Sequence, residues 1–218
     1  MVQIYEVSSP EEASAVANLG VDHIGVLVGN AAFPREQSID KARKIFAAIP
    51  ASSKGSALSL SADLELIKGI ISKLHPPILH LGASTELLVP SNVLELKGEF
   101  PDLVIMRSIP VIGSESIQVA KSYDDIADLL LLDSHTPGDK QIGALGITHN
   151  WKLDREIVES VGIPVIIAGG LGSENVAEAI AAIRPAGVDS KTKTDKTDGS
   201  HTKDLEKVKN FVEVAKGI

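Results

Sequence analysis

The chain of 218 residues is 44% hydrophobic, 23% charged and 3% aromatic, with no cysteine and a formal net charge of -8. Intrinsic disorder, collagen-like repetition, disulfides, thiolate zinc sites and a cysteine nucleophile are thereby excluded. The acidic balance argues against a nucleic-acid partner but leaves a small anion open, because local donors decide that question.

The length suits one sizeable core rather than two full domains. With few aromatics, that core must be built from Ile, Leu, Val and Ala, as in buried parallel strands wrapped by helices. The opening Met-Val-Gln-Ile-Tyr-Glu lacks the basic and apolar stretches of a signal peptide, and no apolar run reaches membrane-spanning length. A cytoplasmic protein without a membrane partner is expected.

Strand-like and helix-like segments alternate from end to end. Val2–Val7 reads as a strand and Pro10–Leu19 as a helix capped by Ser9. Val21–Val28 is a second strand, followed by a helix from Ile39 to Ile49 behind Ser38. Lys54–Leu60 is a weaker strand, and Ala62–Leu74 a helix behind Ser61. Pro77–Leu81 and Leu103–Ile109 are strands, each leading to a helix, at Ser91–Phe100 and Glu115–Tyr123. Asp128–Asp133 is an apolar run bounded by acids, the mark of a strand buried on both faces. Helix Trp151–Val161, strand Pro164–Ala168, helix Glu174–Ile183 behind Ser173, strand Ala186–Asp189 and helix Asp204–Lys216 complete the chain.

Eight strand–helix units without a composition break predict an α/β fold, a single-domain (β/α)8 TIM barrel over residues 1–218. A doubly wound sheet is the competing topology. It would want a glycine-rich turn after the first strand, where this chain has Glu6-Val7-Ser8-Ser9-Pro10. Two loops lie on the face where barrel active sites form: Ser134–Asn150, with Pro137, Gly138, Gly143 and Gly146, and Lys191–Lys203. The composition of Lys191–Lys203 reads as a floppy polar loop.

Candidate chemistry concentrates at strand ends. Ile167-Ala168-Gly169-Gly170-Leu171-Gly172-Ser173 carries a buried strand through glycines toward a helix N-terminus, an arrangement that can receive phosphate. A tight turn requiring positive φ is the plainer reading. On the sixth strand Leu129, Leu131 and Asp133 share a face, so inward leucines would put the Asp133 carboxylate at the barrel mouth. An exposed strand-end Asp is the alternative. The six histidines lack metal-helix spacing, and neither a metal nor another cofactor is expected. His80, at a strand end, could enter the pocket or be a satisfied structural residue.

The same residues carry a family resemblance. Ala168-Gly169-Gly170-Leu171 with Glu174-Asn175-Val176, Leu131-Leu132-Asp133-Ser134, the stretch Gly143–Trp151, Gly187-Val188-Asp189 and Lys203-Asp204 resemble the second half of phosphoribosylanthranilate isomerase. Pro34-Arg35 and, more loosely, Leu79-His80 with Gly82 extend the likeness into the first half. The resemblance implies a tryptophan-biosynthetic barrel enzyme that turns an aminoaldose into an aminoketose by an Amadori rearrangement. It implies Asp133 as general acid, Arg35 as the holder of the substrate's carboxylate, and Gly169 and Gly170 as the phosphate loop. Asp189, Lys191 and Lys193 fall in the eighth-strand segment and join His80 as substrate-binding candidates. A phosphorylated small molecule is the implied partner, with the protein a monomer or homodimer.

The first strand departs from the family. Where the family has a Lys-Ile-Cys-Gly type motif with a cysteine base, this chain has Gln3-Ile4-Tyr5-Glu6. Tyr5 and Glu6 become the candidates for the base, yet phenol has a reference pKa of about 10. Strand parity puts Tyr5 on the interior face with Gln3 and Val7, its ring at the pocket mouth, and turns Glu6 the other way. Lys191 and Lys193 could lower the phenol from across the eighth strand. Bulk and pKa together predict weakened or absent turnover of phosphoribosylanthranilate. A non-catalytic phosphometabolite binder, or a lyase or aldolase using a loop lysine as Schiff-base amine, are the alternative readings.

Overall fold

A computed structural model of the chain describes residues 1–136, 138–143 and 150–217. Eight parallel strands pair in sequence order, and the last pairs with the first, closing a barrel. They are β1 (Val2–Ile4), β2 (His23–Leu27), β3 (Lys54–Ser59), β4 (Ile78–Leu81), β5 (Val104–Pro110), β6 (Leu129–Asp133), β7 (Val165–Ile167) and β8 (Gly187–Ser190). Between and after them run α1 (Pro10–Ala17), α2 (Ile39–Ala47), α3 (Leu64–Leu74), α4 (Pro90–Glu99), α5 (Glu115–Lys121), α6 (Trp151–Ser160), α7 (Val176–Ile183) and α8 (Leu205–Lys216). The expected (β/α)8 barrel is the fold.

Strand alternation divides the buried side chains into two layers. Ile4, Ile24, Val26, Ala57, Leu79, Leu130, Leu132 and Val188 point outward and pack under the helices with Ile45, Ile67, Ile157 and Phe211. Ile78, Met106, Leu129, Leu131, Ile166 and Ala168 form a smaller cluster inside the barrel. Each such side chain contributes about 1.5–3 kcal/mol when fully buried. Among the other interior positions, Gln3, Ser56, His80, Ser108 and Asp189 are polar and buried. The apolar floor thus gives way to a polar ring, and that change positions the site.

Helix starts follow their capping chemistry. The hydroxyls of Ser9 and Ser38 accept the backbone N–H of Glu12 and Lys41, as expected. At α3 the cap is Asp63, which accepts from Glu65 N at 2.9 Å, while the expected cap Ser61 lies two residues too early and accepts from Asp63 N. At α7 the helix opens at Val176 rather than Glu174. Ser173 is not its cap, because Asn175 takes the Gly172 N–H at 2.9 Å and ties off the turn first.

The loop after β8 is ordered, against its composition. Thr192–Thr194 forms a 3₁₀ turn, and Asp195 bridges antiparallel to Lys203. Lys203, fully buried along its side chain, forms an ion pair with Asp195, while its backbone N–H donates to Glu12 of α1 at 2.6 Å. A charge pair taken out of water specifies one geometry, which polarity alone does not reveal. Among the described residues, no helix is long and apolar enough to cross a membrane.

Candidate active site

One cavity opens at the C-terminal ends of the strands. Tyr5, Glu6, Arg35, His80, Asp133, Gly169, Gly170, Asp189, Lys191 and Lys193 all line it, so every expected site residue reaches one place. Their arrangement there differs from expectation on one side of the barrel and matches it on the other.

On β6, Leu129 and Leu131 fill the interior and Asp133 stands at the mouth, as parity requires. Its Oδ1 accepts the N–H of Ser134 at 2.8 Å. Gly143 passes directly over the carboxylate with φ +91, and a Cβ there would lie 2.1 Å from Asp133 Oδ2. Only glycine allows that approach. The rest of the expected glycine loop, with Gly146, lies outside the described residues, as do Pro137 and His149. At the end of β7, Gly169 and Gly170 both take left-handed φ, +85 and +63, while facing the cavity. The turn reading therefore holds together with its placement at the cavity.

Asp189 continues the ring on β8. It is 7% exposed, and its Oδ1 finds no hydrogen-bond partner among the described residues. Burial and the neighbouring Asp133 charge push its carboxyl up to about 8, against the pull of Gln3, Lys203 and Lys191.

The β1 side overturns three expectations. The first strand ends at Ile4, so its alternation ends there too. Val7 accordingly packs in the outer layer, not the interior. Glu6 faces the cavity rather than away from it. It accepts two hydrogen bonds from Arg35, at 2.6 and 3.3 Å, and lies 3.3 Å from Lys191 Nζ. Burial would raise this carboxyl, but Arg35 and Lys191 outweigh it and hold it below its usual range. Arg35 is thus not waiting empty for a ligand. It sits at φ +68, in the left-handed region rarely used by non-glycine residues, with its carbonyl held by the Gln37 amide at 2.7 Å.

Tyr5 is 4% exposed and folds inward instead of standing at the mouth. Its ring occupies the space a Cβ at Gly25 would need, 2.0 Å away. The hydroxyl meets Ser56 Oγ at 2.6 Å and His80 Nδ1 at 2.9 Å, and His80 Nε2 meets Ser108 Oγ at 2.7 Å. Burial drives the phenol up, beyond what the Ser56 hydrogen bond recovers, with Asp189 adding to the rise. The expected lowering by lysines does not occur, because Lys191 holds Glu6 and Lys193 holds Glu174 at 2.8 Å. Burial, and then Arg107, push His80 down to about 3, so its imidazole is neutral. The hydroxyl–imidazole chain accounts for His80 as a satisfied interior residue.

Ser56, Ser108 and Gly25 were missed by sequence reasoning. Gly25 carried a signal: an inward tyrosine on β1 needs a residue without a side chain opposite it on β2. Among the described residues, no group of three or more His, Asp or Glu side chains is placed to hold a metal ion.

The family model described as N-(5'phosphoribosyl)anthranilate (PRA) isomerase matches residues 85–214. N-(5'-phosphoribosyl)anthranilate isomerase from Methanocella arvoryzae is 35% identical over 97% of this chain and 96% of its own length. N-(5'-phosphoribosyl)anthranilate isomerase 2 from Methanosarcina mazei is 31% identical, over 99% of this chain and 93% of its own. Among solved structures, the Pyrococcus furiosus isomerase superposes with a TM-score of 0.80 at 26% identity, covering 100% of this chain and 99% of that one.

Proposed function

Because the chain belongs to the N-(5'-phosphoribosyl)anthranilate isomerase family, we propose that it isomerises this phosphorylated ribosylamine, an aldose-to-ketose rearrangement, with Asp133 as general acid. The observation that carries the reading is that Asp133 and the Gly169-Gly170 turn, at the ends of neighbouring strands, line one cavity in a chain similar to these isomerases over nearly its whole length. Asp133 would deliver a proton to the ring oxygen as the ribose opens. The 169–170 turn would take the phosphate with its backbone, and the charges of Lys191 and Lys193 nearby would attract it without leaving their carboxylates. Arg35 would take the anthranilate carboxylate in exchange for Glu6.

The alternatives lose ground on the same geometry. A Schiff-base lysine must present a free amine, and Lys191 and Lys193 are each engaged by a carboxylate. A binder without turnover has no need of a strand-end carboxylate over which Gly143 passes with no room for a Cβ.

The test is direct turnover of phosphoribosylanthranilate by the purified chain, alongside complementation of a tryptophan-requiring strain lacking the isomerase. Turnover and growth are expected, against the loss that Tyr5 suggests in the sequence, because its ring is packed inward against Gly25 instead of filling the mouth. Phosphate-ester binding with neither would overturn the assignment in favour of a binding protein.

A further inference from the structure

The isomerisation needs a group that removes a proton from the ribose carbon next to the imine, and the first strand does not supply one. Tyr5 stands where the resembling family has its cysteine, but its hydroxyl is committed to Ser56 and His80 in the interior. His80 has both ring nitrogens engaged, by Tyr5 and Ser108. Glu6 is held by Arg35 and Lys191, and when Arg35 turns to the substrate's carboxylate Lys191 still holds it. Among the cavity's acids and bases this leaves Asp189. It lies opposite Gln3 in the β1–β8 register, two residues before Tyr5 in that inward column. It is buried, lines the cavity, and has a carboxylate oxygen without a partner among the described residues. A buried polar atom left unsatisfied carries an uncompensated desolvation cost, and such a cost retained in a cavity points to a ligand.

The geometry points to Asp189 as the general base of this chain's isomerisation, with Asp133 as the acid. The inference rests on the reading under Proposed function. In the proton ledger, Asp133 gives its proton to the ring oxygen as the bond from that oxygen to C1 breaks. The nitrogen lone pair then forms the C1=N bond. Asp189 takes the proton from C2, the C2–H electrons become C1=C2, and the imine pair returns to nitrogen. The enol hydroxyl then returns a proton to Asp133 as the ketone forms, while C1 takes the proton held by Asp189. Both carboxyls end as they began.

Asp189 also has the environment such a base needs. It is faced by Gln3 and Tyr5 from the β1 side, by Asp133 from β6, and by Lys191 and Lys203 from the segment after β8. Burial, the largest effect, raises the carboxyl against the two lysines, and Asp133 adds to that rise only while it is itself charged.

The experiment measures kcat/KM on phosphoribosylanthranilate between about pH 5.5 and 9.5 for the native chain, Asp189→Asn, Asp189→Glu and Tyr5→Phe, since such profiles report the free enzyme's acid and base. The native profile is expected to be a bell with an acid-side midpoint and a fall at high pH, set jointly by the Asp133–Asp189 pair, because the active form carries a proton on Asp133 and none on Asp189. Asp189→Asn should lose about 10²–10⁴-fold, and Asp189→Glu should recover part of that with a moved midpoint. The Tyr5→Phe midpoint should stay where it is. Thermal unfolding at pH 9 checks the fold, and Asp189→Asn should melt above the native chain there. Turnover by Asp189→Asn within threefold of native, or loss of the midpoint in Tyr5→Phe, would overturn the assignment alone. A native chain without turnover at any pH would overturn the proposed function and this base with it.

Discussion

Two arcs of the barrel mouth handle polar groups in opposite ways. Along β6, β7 and β8 they line the cavity: Asp133 at the mouth, two left-handed glycines, and Asp189 with one oxygen unpartnered among the described residues. Along β1 and the segment after β2 they are consumed internally, Tyr5 by Ser56 and His80, Glu6 by Arg35 and Lys191. The same fold therefore holds an arc prepared for chemistry beside one that has already satisfied itself. A ligand gains contacts on the first and must compete for them on the second.

The comparison can be broken most forcefully at Asp133. Asp133→Asn keeps the shape but cannot donate the proton, and turnover should fall by about 10²–10⁴-fold. Near-native kcat in that variant would show that the prepared arc is merely structural. Gly170→Val comes next. A β-branched residue forced into positive φ costs on the order of 1–3 kcal/mol. If that strain displaces the turn, the KM for the phosphate ester should rise roughly 10–100-fold with little change in kcat.

On the self-satisfied arc smaller numbers are expected. Glu6→Gln removes the carboxylate that competes for Arg35. A partly exposed pair is worth about 0.2–1 kcal/mol. KM should therefore fall by up to about fivefold, and a rise would make Glu6 part of substrate binding. Linkage gives a second reading of this variant. The Glu6 carboxyl is held below 4.5, so its stabilisation is present above that pH and lost as pH falls through the folded value. The difference in thermal stability between native and Glu6→Gln chains should shrink on acidification from about pH 6 to 3. Tyr5→Phe has the smallest effect on rate. It leaves Ser56 and His80 short of a partner, an expected loss of about 1–3 kcal/mol in chemical denaturation.

The prepared arc was legible in the sequence, and the other was not. At β6 the apolar run continues to its last residue, so parity carried Asp133 to the mouth correctly. At β7 the glycines are adjacent and need no long-range information to be read as a turn at a strand end. At β1 the same parity argument was extended beyond Ile4, where the strand had already ended, and it misplaced both Glu6 and Val7. Glu6 and Arg35 are 29 residues apart, and nothing local in either segment announces the other. The loop after β8 was misread for a related reason. Its order comes from Lys203 reaching Asp195 and Glu12, and a lysine's burial depends on partners that composition does not display.

That buried lysine has a kinetic meaning as well as an architectural one. Lys203 joins the segment after β8 to Asp195 by its side chain and to α1 by its backbone, which fixes the stretch carrying Lys191 before any ligand arrives. The conformational entropy of that stretch is surrendered during folding and not again at each binding event. A lid that must order on every cycle slows association. A clamped segment does not.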